Sequence, residues 1–154
     1  AEPGAPAAEL PLDLGDLARQ AVADVQPLAE RAGVAIALTA PDPLPLHGDP
    51  QSLRAALRNV VDNAVKFGAR TVQVSALRGP GGAPLLRVDD DGPGIPPEQR
   101  ERVFDRFQRG EDASVEGSGL GLAIVRAAAR RQGADVVLGT APLGGLRAEI
   151  RWPG

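Results

Sequence analysis

The chain reads as a two-layer α/β sandwich, a mixed and mostly antiparallel sheet with helices packed on one face. Three observations lead there. Segments with apolar residues at helical spacing end at sharp stop signals, and β-rich runs come in pairs joined by short Gly/Pro turns. The helices also fall between those strand pairs, an order that fits a purely parallel, doubly wound sheet poorly. At 154 residues the chain is long enough for one domain with its own core.

Residues 1–11 are a Pro/Ala-rich linker or tail with little to bury, and 12–153 form the domain. From Asp13, the residues Leu14, Leu17, Ala21, Val25 and Leu28 recur at helical spacing toward Gly33, with Pro27 expected to kink or tighten the helix. Val34 to Leu38 predicts a strand, bounded by Gly33 and the turn cluster Pro41 to Pro45. Asp49 as N-cap, Pro50 at the first helical position and Gly68 beyond the end frame a second helix. Thr71 to Arg78 and Leu85 to Asp89 flank the turn GPGGAP and predict an antiparallel pair. Pro97 to Phe104 suggests a short helix, and Leu120 to Arg131 a longer one before Gly133. Asp135 to Thr140 and Leu146 to Arg151 are the closing strands, with Pro142, Gly144 and Gly145 between them.

Composition excludes several functions. With no cysteine and one histidine there is neither a disulfide framework nor the ligand set of a typical zinc centre. A net charge of −3 and an aromatic content of 3% supply neither a positive field nor stacking platforms, so neither nucleic acid nor direct membrane contact is expected. No apolar run approaches the roughly 20 residues of a transmembrane helix. The single lysine and the only two asparagines, however, all fall between residues 59 and 66.

At about 100° per residue, Asn59, Asn63 and Lys66 share a sector of roughly 60°, away from the stripe Leu53, Leu57, Val61 and Ala64. An amide oxygen suits Mg²⁺ and a lysine suits phosphate oxygens, although an ordinary solvated helix face has the same look. In DDDGPGIPP (89–97), strand alternation puts Val88 and Asp90 on one face, and Gly92 and Gly94 permit a tight turn. A carboxylate at a strand end accepts hydrogen bonds only and so can read an exocyclic amine, but plain hairpins carry Asp-Gly too. Gly117, Ser118, Gly119, Leu120, Gly121 and Leu122 lead into a helix whose N-terminus attracts anions. They match neither the dinucleotide fingerprint nor a P-loop. VFDRFQRG (103–110) offers Phe104 and Phe107, as lid anchors or core residues, and the cationic reach of Arg106 and Arg109.

In this order NVVDNAVKF, DDDGPGIPP, VFDRFQRG and GSGLGL resemble the N box, first glycine box, F box and second glycine box of bacterial sensor histidine kinases. The likeness is to their catalytic and ATP-binding domain and covers about residues 12–153. It implies a Bergerat (GHKL) sandwich that binds ATP and Mg²⁺ beneath a flexible lid. Asn63 then resembles the Mg²⁺ ligand, Asn59 a phosphate or metal-water contact, Lys66 a phosphate contact and Phe67 a wall beside the nucleotide. Asp90 corresponds to the adenine-reading carboxylate, with Asp91 the poorer candidate. Gly92, Gly94 and Ile95 resemble the pocket floor, and Gly117 to Leu122 the phosphate-holding loop and helix start. Arg109 and Arg106 match lid positions that approach the γ-phosphate, and Asn59, Lys66 and Arg109 would carry the catalytic roles.

The resemblance further implies a cytosolic domain of an inner-membrane receptor, monomeric in isolation. It would donate its γ-phosphate to a histidine of the receptor's dimerisation and phosphotransfer segment, for onward transfer to a response regulator. His47, in PLHGDPQSL, lacks the context of that acceptor. Relatives that hydrolyse ATP carry a glutamate base one turn before the metal-binding asparagine. This chain has Asn59, and an amide cannot take a proton from water, so transfer is favoured over hydrolysis. An anti-sigma-type serine kinase and a non-catalytic nucleotide-sensing module are the alternatives.

Overall fold

The computed structural model describes residues 10–66, 70–104 and 118–153. The first strand, β1 (Leu10–Asp13), leads directly into α1 (Leu14–Ala32). Asp13 makes that junction: one carboxylate oxygen accepts the amide of Asp16 at 3.0 Å and the other accepts that of Leu44 at 2.6 Å. The side chain thus caps the helix and pins a distant loop. The helix continues past Pro27. Both Pro27 and Ala23, whose carbonyl loses its partner, lie on the exposed face where water can satisfy it. At its end Gly33 adopts φ 74°, and the amides of Gly33 and Val34 turn back to Glu30 and Ala29.

Strand β2 (Ala35–Thr39) starts one residue later than expected. Strand β3 (Pro45–Gly48) pairs antiparallel with β1, from Leu10 opposite Gly48 to Asp13 opposite Pro45. This ribbon corrects the sequence reading, which placed Leu10 and Pro11 in a tail and Pro45 in a turn. Helix α2 (Pro50–Lys66) begins where Asp49 accepts the Ser52 hydroxyl at 2.6 Å. Strands β4 (Thr71–Arg78) and β5 (Pro84–Asp90) form the expected hairpin around a 3₁₀ turn at Pro80–Gly82. The single short helix expected over Pro97 to Phe104 is instead two 3₁₀ turns, Pro97–Gln99 and Arg102–Phe104. Helix α3 (Ser118–Arg131) is followed by β6 (Asp135–Thr140) and β7 (Leu146–Arg151).

The five-stranded sheet has the order β2-β4-β5-β7-β6; only β2 and β4 run parallel. Alternation sorts its two faces. Val72, Val74, Leu86, Val88, Ala148 and Ile150 are buried in one core with Leu17, Val25, Leu57 and Val61 of the helices. Each buried Val, Leu or Ile among them contributes on the order of 2 kcal/mol of hydrophobic stabilisation. The opposite face carries ion pairs across adjacent strands, Arg87 to Glu149 at 2.7 Å and Arg147 to Asp89 at 2.8 Å. Burial alone would raise the Glu149 carboxyl, but hydrogen bonds from Arg87 and Arg151 hold it below the usual range. Among the described residues no helix is long and apolar enough to cross a membrane.

Candidate functional site

The site is built where α2, the end of β5 and the start of α3 converge. Along α2, Leu53, Leu57, Val61 and Ala64 face the core, leaving Asn59 and Asn63 half-buried and Lys66 exposed. Lys66 holds Asp62, one turn earlier, at 3.1 Å. Exposed pairs of this kind contribute only about 0.3–0.5 kcal/mol, so the ammonium can be redirected toward another anion at little cost.

Asp90 ends β5 on the core face, opposite Val72. It is 7% exposed, yet among the described residues no cation hydrogen-bonds to it. One oxygen, Oδ1, accepts the amides of Gly92 at 2.9 Å and Leu146 at 3.0 Å. Burial pushes the carboxyl above its ordinary range, outweighing the support of those two amides; the charges of Asp91 and Asp89 push the same way. Asp91 differs in kind. Its Oδ1 accepts the amides of Arg70 at 2.7 Å and Thr71 at 3.0 Å, and those bonds hold its carboxyl low. Asp91 therefore braces the start of β4 and is committed to backbone.

Asn63, Asp90 and Leu122 come together in one small cavity, of about 10 Å³, with Val60, Ala64, Val88, Leu146 and Ala148. Such a volume holds roughly one water. Asn59, Lys66, Gly92, Gly94 and Ile95 do not line it. Gly92 instead donates to Asp90, and Gly94, at φ 72°, rests against the backbone of Gly145. At the start of α3, Leu122 is buried, and a Cβ on Gly121 would lie 3.3 Å from the Asn63 amide oxygen. Glycine leaves that oxygen unobstructed. Ser118, Gly119 and Leu120 form the first turn of α3. Phe67, Arg106, Phe107, Arg109 and Gly117 lie outside the described residues. Phe104 packs against the core with the Arg126 guanidinium 4.3 Å above its ring. His47 is exposed on β3 and does not line the cavity.

Sequence reasoning missed the β6–β7 hairpin as part of the site. A Cβ on Gly145 would come within 2.6 Å of the Gly92 amide nitrogen and closer still to the Asp90 carboxylate. The Gly145 amide also donates to the Asp90 carbonyl at 3.1 Å. The available signal was the Gly144-Gly145 pair directly before a strand, which read only as a turn.

Chemically, the cavity presents a carboxylate acceptor among aliphatic walls, with an amide oxygen beside it and a helix N-terminus nearby. That combination suits a flat heterocycle bearing an amine, attached to an anionic group. The family described as histidine kinase-, DNA gyrase B-, and HSP90-like ATPase matches residues 48–154. The sensor-type histidine kinase PrrB of Mycobacterium tuberculosis is 40% identical over 147 residues, which are 94% of this chain and 32% of PrrB. The crystal structure of the ATP binding domain of PrrB from the same organism superposes with a TM-score of 0.78 at 34% identity, covering 95% of this chain and 97% of that one. Full-length ShkA in complex with AMPPNP gives a TM-score of 0.80 at 35% identity, over 94% of this chain and 31% of ShkA. The chain spans about a quarter to a third of the length of the curated relatives it matches. A Bergerat-type sandwich of this topology, with those motifs in that order, makes the chain a member of the histidine kinase-, DNA gyrase B-, and HSP90-like ATPase family.

Proposed function

We propose that this chain is the ATP·Mg²⁺-binding catalytic domain of a sensor histidine kinase, which donates the γ-phosphate to a histidine of the receptor's dimerisation segment. The observation that carries the reading is Asp90, a buried carboxylate that has no cation partner among the described residues and lines the same cavity as Asn63. Its Oδ1 is occupied by two backbone amides, so Oδ2 is the atom to accept the adenine amine. A purine is several times larger than the cavity, and binding one moves the aliphatic walls around Leu122 and Leu146 apart.

The residues present fit the metal as well as the base. Asn63 offers a neutral oxygen ligand beside Gly121, where a side chain would crowd it, and Mg²⁺ there would neutralise phosphate charge. Lys66 leaves Asp62 for a phosphate oxygen, and Asn59 contacts phosphate or metal-bound water. Phe67, Arg106, Arg109 and Gly117 keep the roles that the resemblance implies. With Asn59 in place of an acid, the chain holds no base at that position for water, and the acceptor imidazole comes from outside. The partners are then the dimerisation and phosphotransfer segment of the same receptor and, through it, a response regulator; the domain works in the cytosol.

Affinity for ATP·Mg²⁺ in the tens of micromolar, about −6 to −7 kcal/mol, suits a site that exchanges its nucleotide. Calorimetric titration with AMP-PNP, with and without Mg²⁺, tests the site: Asn63→Ala should remove the metal-dependent increment and leave the rest. Adding the purified dimerisation segment with γ-labelled ATP tests the transfer. Acid-labile label on histidine is expected; label on serine, or none with normal binding, overturns the kinase assignment in favour of a serine kinase or a sensing module.

A further inference from the structure

We propose that Arg100 is a positioning residue for the purine end of this site, tying the loop 92–95 to the β6–β7 hairpin whose amides hold Asp90. The inference rests on the nucleotide-binding reading above. Arg100 is half-buried between the two 3₁₀ turns. Its Nε donates to the Ile95 carbonyl at 3.0 Å and its Nη2 to the Thr140 hydroxyl at 2.8 Å. Thr140 is the last residue of β6. The next residue, Ala141, donates to the Gly145 carbonyl at 2.8 Å. Gly145 and Leu146 in turn donate to the carbonyl and the carboxylate of Asp90, at 3.1 and 3.0 Å.

The loop is therefore attached to one hairpin at both ends: at Gly92 through the Asp90 carboxylate, and at Ile95 through Arg100. Between these anchors Gly94 rests on Gly145. Removing Arg100 frees one end of the loop without touching the other. The following residues have their own support from α3, since Arg126 binds Glu101 at 3.1 Å and covers Phe104. The effect of losing Arg100 is thus confined to the loop. The guanidinium spans the two separated acceptors with a rigid planar fork, a geometry that the compact ammonium of a lysine does not reproduce.

The test is calorimetric titration of the 154-residue chain with AMP-PNP, with and without Mg²⁺. Arg100→Ala should weaken binding about fivefold, and by the same factor in both conditions, because the lost link acts on the purine end. Thr140→Val should act in the same direction and Thr140→Ser should retain wild-type affinity. The double variant should be no weaker than Arg100→Ala alone, since both substitutions break one connection. Wild-type affinity in Arg100→Ala, or effects that multiply in the double variant, overturns the inference. Should Arg100→Ala fail to fold, equal affinities for the Val and Ser variants at 140 overturn it. Wild-type protein that binds no AMP-PNP overturns the nucleotide reading and this inference together; wild-type binding with an unaffected Arg100→Ala overturns the inference alone.

Discussion

Asp89 and Asp90 are neighbours on one strand with nearly equal exposure, 6% and 7%, and opposite circumstances. Asp89 lies on the outer face, where Arg147 directly opposite meets it with two hydrogen bonds of 2.8 and 2.9 Å. Asp90 lies on the core face, supported by backbone amides at a single oxygen. The outer carboxylate is compensated by a full charge; the inner one carries its desolvation largely uncompensated, which is why its carboxyl is raised. A side chain that costs stability where it stands is expected to be retained for what it binds, whereas a paired one is expected to serve the fold.

The largest expected effect comes from crowding the inner aspartate. Gly145→Ala puts a Cβ against the Asp90 carboxylate and the Gly92 amide, and should cost about 3 kcal/mol of stability, measured by denaturant unfolding. Next is Asp90→Asn, which keeps an oxygen for both amides but loses the charged acceptor. AMP-PNP affinity should fall about 30-fold, some 2 kcal/mol, while the melting temperature holds or rises. A fall in melting temperature with unchanged affinity would make Asp90 a structural residue like its neighbour. Asp89→Asn should do the reverse: about 1 kcal/mol of stability lost, moderated by the partial exposure of Arg147, with affinity unchanged.

The smallest effect is a pH dependence. A carboxyl raised in the folded state contributes stability that is fully present below its unfolded value and is lost as pH rises through its folded value. At neutral pH, wild type therefore carries the cost of the charged Asp90 and Asp90→Asn does not. The stability difference between the two should shrink as pH falls toward about 4, by less than about 1 kcal/mol. The depressed carboxyls of Asp91 and Glu149 lose their contribution on acidification, but both proteins share them and the loss cancels. Unfolding curves at the two pH values check this.

The parts read correctly from sequence are those with local causes. Pro50 and the spacing from Leu53 to Ala64 mark α2; Gly33 and Gly133 mark helix ends; β6 and β7 have the expected bounds. Alternation along β5 also puts Asp90 on the core face, as Val88 is. The β1–β3 ribbon was not legible because each strand has four residues and includes a proline, and its pairing joins positions more than thirty residues apart. Pro97 likewise made 97–104 look like a helix start, where the chain forms two separate tight turns.

Residue order alone was enough to place the candidate groups, with the asparagines and lysine on one helical face, the carboxylate at a strand end and the glycines at a helix start, because period and punctuation act over a few residues. Which carboxylate is held by backbone amides and which by an arginine, that Gly145 makes room for the former and that Arg100 closes the loop around it depend on groups some forty to sixty residues apart in the chain. Burial and hydrogen-bond partners belong to the packed molecule, and desolvation exists only once the sheet and helices have closed over the site.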